Sequence, residues 1–273
     1  MIELPEAVTL AAQVRDELMG RTIEYADAGN SPHKFAWYGP HKDEFGTALP
    51  GKRVTGATGT PTGLVMHLSD GYVFLFGDGG PVLSLHAAGA RLPAKRQLLF
   101  RFDDGRSLTA SIRMYGYLSL LTEQELAARP DPGVTPLDRS FTAARLTQML
   151  RGYEGAASKS IKYFIISAHL VGGIGNGYLQ DVLFRAGVSP MRKVCGLTDA
   201  DCKALHAAAV GTIKEAIAAG GRDTERDLLG RPGGYRCTLD SRVAGKPCPR
   251  CGAPIVKKAY LGGSVYFCPQ CQP

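Results

Sequence analysis

Apolar positions recur at helical spacing near the start of the chain, where Ala7, Leu10, Ala11, Val14 and Leu18 follow Pro5 and the pattern stops at Gly20. A 3.6-residue period puts these side chains on one face, and proline suits a first turn whose amide needs no intrahelical partner. An amphipathic helix is therefore predicted. Over residues 22 to 121 the pattern changes to short apolar runs, such as Gly63-Leu64-Val65-Met66-His67-Leu68, Tyr72-Val73-Phe74-Leu75-Phe76 and Leu98-Leu99-Phe100-Arg101-Phe102. Ser69-Asp70-Gly71 and Asp103-Asp104-Gly105 punctuate them, and strands joined by Asp-Gly turns predict an antiparallel sandwich or barrel. Arg129-Pro130-Asp131-Pro132 breaks helices and marks a domain boundary.

Helical periodicity returns at Phe141, Leu146 and Leu150 and continues through Ser158 to the Ile165-Ile166 pair. Leu170-Val171-Gly172-Gly173-Ile174-Gly175-Asn176 is a glycine-rich turn opening a helix over residues 178 to 187, and another helix spans 199 to 219 before Gly220-Gly221. Residues 222 to 235 are polar and glycine-rich and read as a mobile surface loop. Alternation of Ile255, Val256, Tyr260, Val265 and Phe267 around Gly262-Gly263 predicts a β-hairpin. The fold class is α+β, with domains over residues 1–130, 131–235 and 236–273.

That hairpin is bracketed by Cys248-Pro249-Arg250-Cys251 and Cys268-Pro269-Gln270-Cys271. Four thiolates at this spacing close a tetrahedron around one zinc ion with no open coordination position, so the metal is structural and supplies the folding energy of a ribbon too small to bury a core. Two disulfides are the alternative, disfavoured because the rest of the chain carries no secretory signal. Cys195, Cys202 and Cys237 lack metal spacing, and His33, His41, His67, His86 and Trp37 suggest no chemistry.

With 273 residues, 44% of them hydrophobic, the chain can build one or two sizeable cores. No apolar run reaches the ~18 residues of a membrane span, and a soluble cytoplasmic protein is expected. Charge is uneven. Residues 1–130 carry 13 Lys and Arg against 14 Asp and Glu, net −1, whereas residues 131–273 carry 19 against 11, net +8. A basic rear half is the footprint of a polyanion partner.

Glu3 and Glu6 fall at the positive end of the first helix. They either stabilise that end by a few tenths of a kcal/mol or form an acid/base pair beside an N-terminal amine. Asn176 either caps its helix or, with the glycines before it, helps hold a phosphate. Tyr115, in Met114-Tyr115-Gly116, either packs in the core or offers a ring to a base.

Glu3-Leu4-Pro5-Glu6, Ile161-Lys162, residues 170 to 176 with Leu183-Phe184-Arg185-Ala186-Gly187, Gly220-Gly221 and the four-cysteine ribbon closing in Cys271-Gln272 occur here in one order. In this the chain resembles the formamidopyrimidine-DNA glycosylase and endonuclease VIII family along nearly its whole length. The resemblance implies an N-terminal helix plus β-sandwich, a helix-two-turn-helix domain and a zinc-finger hairpin, acting as a monomer on double-stranded damaged or abasic DNA near the nucleoid. It implies that Lys162 and Asn176 clamp phosphates around an extruded nucleotide, and that residues 222 to 235, with Arg222, Asp223 and Arg226, fold over the base.

Departures from the family fall on catalytic and DNA-contacting parts. Ile2 stands where similar enzymes expose a proline amine, so the reactive amine would be that of Met1. Thr62 aligns near a phosphate-binding lysine, Gly263 with an arginine at the zinc-hairpin tip, and Tyr115 with an intercalating phenylalanine, next to Met114 where an arginine is often found. The expected function is a DNA glycosylase with altered or absent lyase activity, in which Glu3 or Glu6 activates water or the Met1 amine attacks. The alternative is a catalytically silent binder of damaged or abasic DNA.

Overall fold

Pro5 occupies the first turn of helix α1 (Leu4–Leu18), which buries Leu4, Ala7, Leu10, Ala11, Val14 and Leu18 along one face, the stripe expected from the 3.6-residue period. The structure, a computed structural model, describes residues 2–77 and 80–273. Its contacts divide the chain into two units, Met1–Pro130 with Ala219–Gly234, and Asp131–Ala218 with Tyr235–Pro273. Residues 219–234 carry three arginines and three acids, so the first unit keeps net −1 and the second +8.

In the first unit α1 is followed by β1 (Ile23–Asp27), β2 (Ala36–Tyr38), α2 (Phe45–Ala48), β3 (Val54–Thr60), β4 (Gly63–Leu68), β5 (Tyr72–Gly77), β6 (Pro81–His86), β7 (Leu98–Phe102), β8 (Ser107–Ile112), β9 (Gly116–Thr122) and α3 (Glu123–Ala127). Two sheets form, ordered β1-β7-β8-β6 and β2-β9-β5-β4-β3. All neighbours are antiparallel except β2, which runs parallel to β9 at the sheet edge. Asp70 and Gly71 both take positive φ, 60° and 71°, in the β4–β5 turn, the geometry an Asp-Gly pair favours between twisted strands. Phe74, Phe76 and Phe100 are fully buried, with Phe74 meeting each of the others at a centroid distance of 4.9 Å.

Helix α1 lies on β3 and β4. A Cβ at Gly59 of β3 would stand 2.5 Å from the Val8 amide nitrogen, so glycine lets helix and strand meet backbone to backbone.

The second unit holds α4 (Ala143–Arg151), α5 (Ile161–Ile166), α6 (Asn176–Ala186), α7 (Asp199–Ala218) and the hairpin of β10 (Val256–Tyr260) and β11 (Gly263–Phe267). The helical stretch expected to run on through Ser158 is broken. α4 stops at Gly152, and α5 starts afresh where the Ser160 side chain accepts from the Tyr163 amide. Asn176 does not cap α6 either. Gly175 takes the cap position, and Asn176 is the first helical residue. Leu261 and Gly262, with φ of 50° and 71°, turn β10 into β11. Phe184 of α6 packs with Leu239, Ile255, Cys248 and Cys268, so the ribbon has a small apolar core of its own. No helix among the described residues is long and apolar enough to cross a membrane.

Candidate functional site

Glu3 and Glu6, each 5% exposed, lie at the N-terminus of α1. They form a capping box, with the Glu3 amide donating to Glu6 Oε2 at 3.1 Å. A buried carboxylate needs a counter-charge, and it comes from residue 222. The Arg222 amide donates to Glu6 Oε1 at 3.1 Å, its Nε stands 3.4 Å from the same oxygen, and its Nη2 lies 3.3 Å from Glu3 Oε1 and 3.5 Å from Glu225 Oε1. Glu6 therefore engages with both oxygens. Gly221 makes the approach possible, since its φ is +91° and a Cβ there would stand 3.2 Å from Glu6 Cγ and Oε1.

The segment bearing Arg222 is anchored, contrary to the mobile loop expected. Gln13 of α1 donates to Asp227 Oδ2 at 2.7 Å and accepts from the Leu228 amide at 2.9 Å, and Leu228 is fully buried in the core of the first unit. Half-buried Asp223 and exposed Arg226 follow Arg222. Ile2, 8% exposed, belongs to the same core. With Glu6, Leu10, Arg113, Glu225 and Arg226 it lines a cavity of about 20 Å³, room for a water molecule and not for a nucleobase. Met1 lies outside the described residues.

Thr62, half-buried in the β3–β4 turn, stands 3.1 Å from Thr60 through the two hydroxyls. Met114 and Tyr115, before β9, are 64% and 38% exposed, so Tyr115 is not a core ring.

In the second unit Lys162 of α5 and Asn176 of α6 converge on the zinc hairpin. Lys162 Nζ donates to the Tyr260 carbonyl at 2.7 Å, and Asn176 Nδ2 to that of Ser264 at 3.2 Å. Burial draws the Lys162 ammonium below its ordinary pKa. A Cβ at Gly263 would lie 3.7 Å from Asn176 Nδ2 and 3.8 Å from Lys162 Nζ, so these three positions form one group. Gln180 ties it together, donating to Asn176 Oδ1 at 3.2 Å and accepting from the Tyr266 amide at 3.2 Å.

The Sγ atoms of Cys248, Cys251, Cys268 and Cys271 all lie within 4.8 Å of one another, with Cys251 to Cys268 at 3.4 Å and Cys248 to Cys271 at 3.9 Å. Ligands at ~2.3 Å around a tetrahedral ion bracket such separations. Burial and the neighbouring thiols push Cys271 up to about 12. Four clustered thiols do not ionise together without a cation, and the donor set fits one structural Zn²⁺. Gln272 secures the ribbon, accepting from the Cys268 amide at 3.0 Å and donating to the Val188 carbonyl at 3.0 Å.

The structure thus brings Glu3, Glu6, Ile2, Arg222 and Arg226 together in one unit, and Lys162, Asn176, Gly263 and the four cysteines in the other. Sequence reasoning placed Arg222 over a base and missed its attachment to the two acids, which no local pattern encodes. It also passed over Phe35 and Trp37, 46% and 47% exposed.

Three protein-family models match the chain. The formamidopyrimidine-DNA glycosylase N-terminal domain covers residues 1–148, the formamidopyrimidine-DNA glycosylase H2TH domain 132–227, and the zinc finger found in FPG and IleRS 245–273. A formamidopyrimidine-DNA glycosylase of Roseiflexus sp. (strain RS-1) is 31% identical, with 100% of both chains covered. Another, from Chloroflexus aurantiacus, is 32% identical over 100% of this chain and 98% of its own. Among solved structures, the Lactococcus lactis Fpg in complex with abasic-site DNA superposes with a TM-score of 0.87 at 26% identity, covering 99% of each chain. The same enzyme bound to DNA with an oxidised pyrimidine gives 0.86 at 25% identity, again over 99% of each.

Proposed function

Because the chain belongs to the formamidopyrimidine-DNA glycosylase family, we propose that it binds damaged double-stranded DNA, extrudes a modified base and hydrolyses its N-glycosidic bond, with the lyase step weakened or lost. The observation that carries this reading is the pair of buried carboxylates that Arg222 draws together at the start of α1. Glu6 binds the Glu3 amide with one oxygen and Arg222 with the other, a positioning role, and Glu3, 3.3 Å from Arg222 Nη2, is assigned the exchange of protons with water or the leaving base. Ile2, packed in the core, stands where similar enzymes expose a proline amine, which supports hydrolysis over Schiff-base chemistry. Asn176 at the α6 N-terminus and Lys162, whose ammonium has three donors, hold phosphates beside the extruded nucleotide. Zinc supplies no chemistry and fixes the hairpin that positions both. The protein acts as a monomer on DNA, in the nucleoid-associated cytoplasm.

Closure of the site also favours a second reading. Both acids are 5% exposed and paired with one arginine, beside a cavity for a single water, which suits a catalytically silent binder of damaged or abasic DNA. One experiment separates the two. Duplexes carrying oxidised, ring-opened or alkylated bases are assayed for free base and for nicking separately, with borohydride trapping on abasic DNA. The enzyme reading expects base release without nicking or trapping, and a drop of roughly 10²–10⁴-fold in release for Glu3→Gln with binding retained. Binding without release from any duplex leaves the silent reading, and trapped adducts overturn the hydrolytic route.

A further inference from the structure

Phe35 just before β2, Trp37 on β2 and Tyr115 before β9 form a row of rings on the first unit. Centroids are 6.4 Å apart from Phe35 to Trp37 and 6.3 Å from Trp37 to Tyr115. The parallel pairing of Ala36 with Gly116, with the Gly116 amide donating to the Phe35 carbonyl at 3.0 Å, brings Tyr115 into line with the two rings that flank Ala36. All three residues are more than a third exposed, on or beside the edge strand β2, and contiguous exposed apolar surface of this kind marks a binding surface.

Charge indicates what binds there. The unit is net −1, yet residues 28–42 and 105–122 contain no Asp or Glu and carry Lys34, Lys42 and Arg113, with Arg106 drawn off to Asp104 and Glu17. Lys34 Nζ stands 5.3 Å from the Phe35 centroid. An aromatic row with a lysine over its first ring and no acid in either flanking segment suits the bases and phosphates of a nucleic-acid strand. The spacing selects which kind. Centroids 6.3–6.4 Å apart are nearly twice the ~3.4 Å step of one stacked strand, so successive rings match bases pulled apart and not bases held in a duplex.

We propose that Phe35, Trp37 and Tyr115 form a stacking platform for successive unpaired bases, by which the protein engages single-stranded or locally melted DNA whether or not it carries a lesion. This rests on the reading of the protein as DNA-directed and adds the unpaired strand as a ligand. Trp37 is the only tryptophan in the chain, so its fluorescence reports the platform directly.

The full protein is titrated with a lesion-free oligothymidine of about ten nucleotides, within the usual site size, and with a blunt hairpin duplex of equal charge. Quenching of Trp37 at lower concentrations of oligothymidine than of duplex is expected. Phe35→Ala weakens oligothymidine binding by roughly 5- to 150-fold, the range for loss of one base–aromatic stack, without shifting the melting temperature. Phe35→Leu loses binding equally, since it keeps apolar surface and removes the ring face. Equal quenching by the duplex, no quenching by oligothymidine, or full binding by Phe35→Leu overturns the platform. So does a dimer in sedimentation that Phe35→Ala dissociates while oligothymidine affinity is unchanged. The glycosylase reading fails separately, in the base-release assay. Release without Trp37 quenching sinks only the platform, and quenching without release leaves it standing.

Discussion

Arg222 is bonded to Glu6 twice, by its backbone amide at 3.1 Å and by its side-chain Nε at 3.4 Å, across 216 positions of sequence. The guanidinium is 8% exposed and the Glu3 and Glu6 side chains 3% and 6%. Arg222→Met leaves two buried carboxylates without their cation, and a loss of about 3–5 kcal/mol in unfolding free energy is expected. Adding Glu6→Gln to Arg222→Met recovers part of it, as a double-mutant cycle in urea measures. Additive effects of the two changes refute the coupling.

Acid loosens the same segment through Asp227. Burial pushes its carboxyl up, but donation by Gln13 and by the Arg231 amide and guanidinium outweighs this and holds it below the ordinary carboxylate value. A group whose folded pKa is depressed contributes stability above its unfolded value, near 3.9, and loses it as pH falls through the folded one. Exchange of the Leu228 and Arg231 amides is therefore expected to accelerate below about pH 4 in the parent protein, and to be insensitive to pH there, beyond intrinsic chemistry, in Asp227→Asn.

Removal of zinc acts beyond the ribbon. Chelation, or Cys268→Ser, is expected to reduce the metal content from one ion per chain and to unfold the hairpin. The Tyr266 amide then loses Gln180 and Lys162 loses the Tyr260 carbonyl. Hydrogen exchange reads the first and DNA affinity the second. An intact hairpin in the metal-free protein refutes this.

Gly263 leaves room for a side chain beside Lys162 and Asn176, with ordinary contacts of 3.7 and 3.8 Å at the Cβ position. Gly263→Arg puts a cation beside Lys162 and Asn176. Tighter DNA binding is expected, with a log–log salt slope steeper by about one. An unchanged slope means that this position does not meet phosphate.

Much of the fold is legible because its signals are local. The apolar stripe of α1, the Asp70-Gly71 turn and the cysteine spacing each involve residues a few positions apart, where periodicity and backbone preference decide the outcome. The acid cluster is legible only in half. Glu3 and Glu6 are the cap and third position of one helical turn, but their counter-ion arrives from residue 222 and nothing near it records that contact. Asn176 shows how a one-residue shift changes a role. With Gly175 at the cap, its amide group turns to Ser264 and Gln180. Phe35 and Trp37 sit among apolar residues as core aromatics do, and only their place at the edge strand β2 exposes them.

The backbone contact at Gly59 has a mechanical consequence. At Gly59 helix α1 meets β3 backbone to backbone, with no side chain between them to yield, and this braces its first turns against the sheet. Uncovering Glu3 therefore falls to Arg222 itself, turning on Gly220 and Gly221 while Asp227 and Leu228 stay pinned to the first helix as its fixed frame.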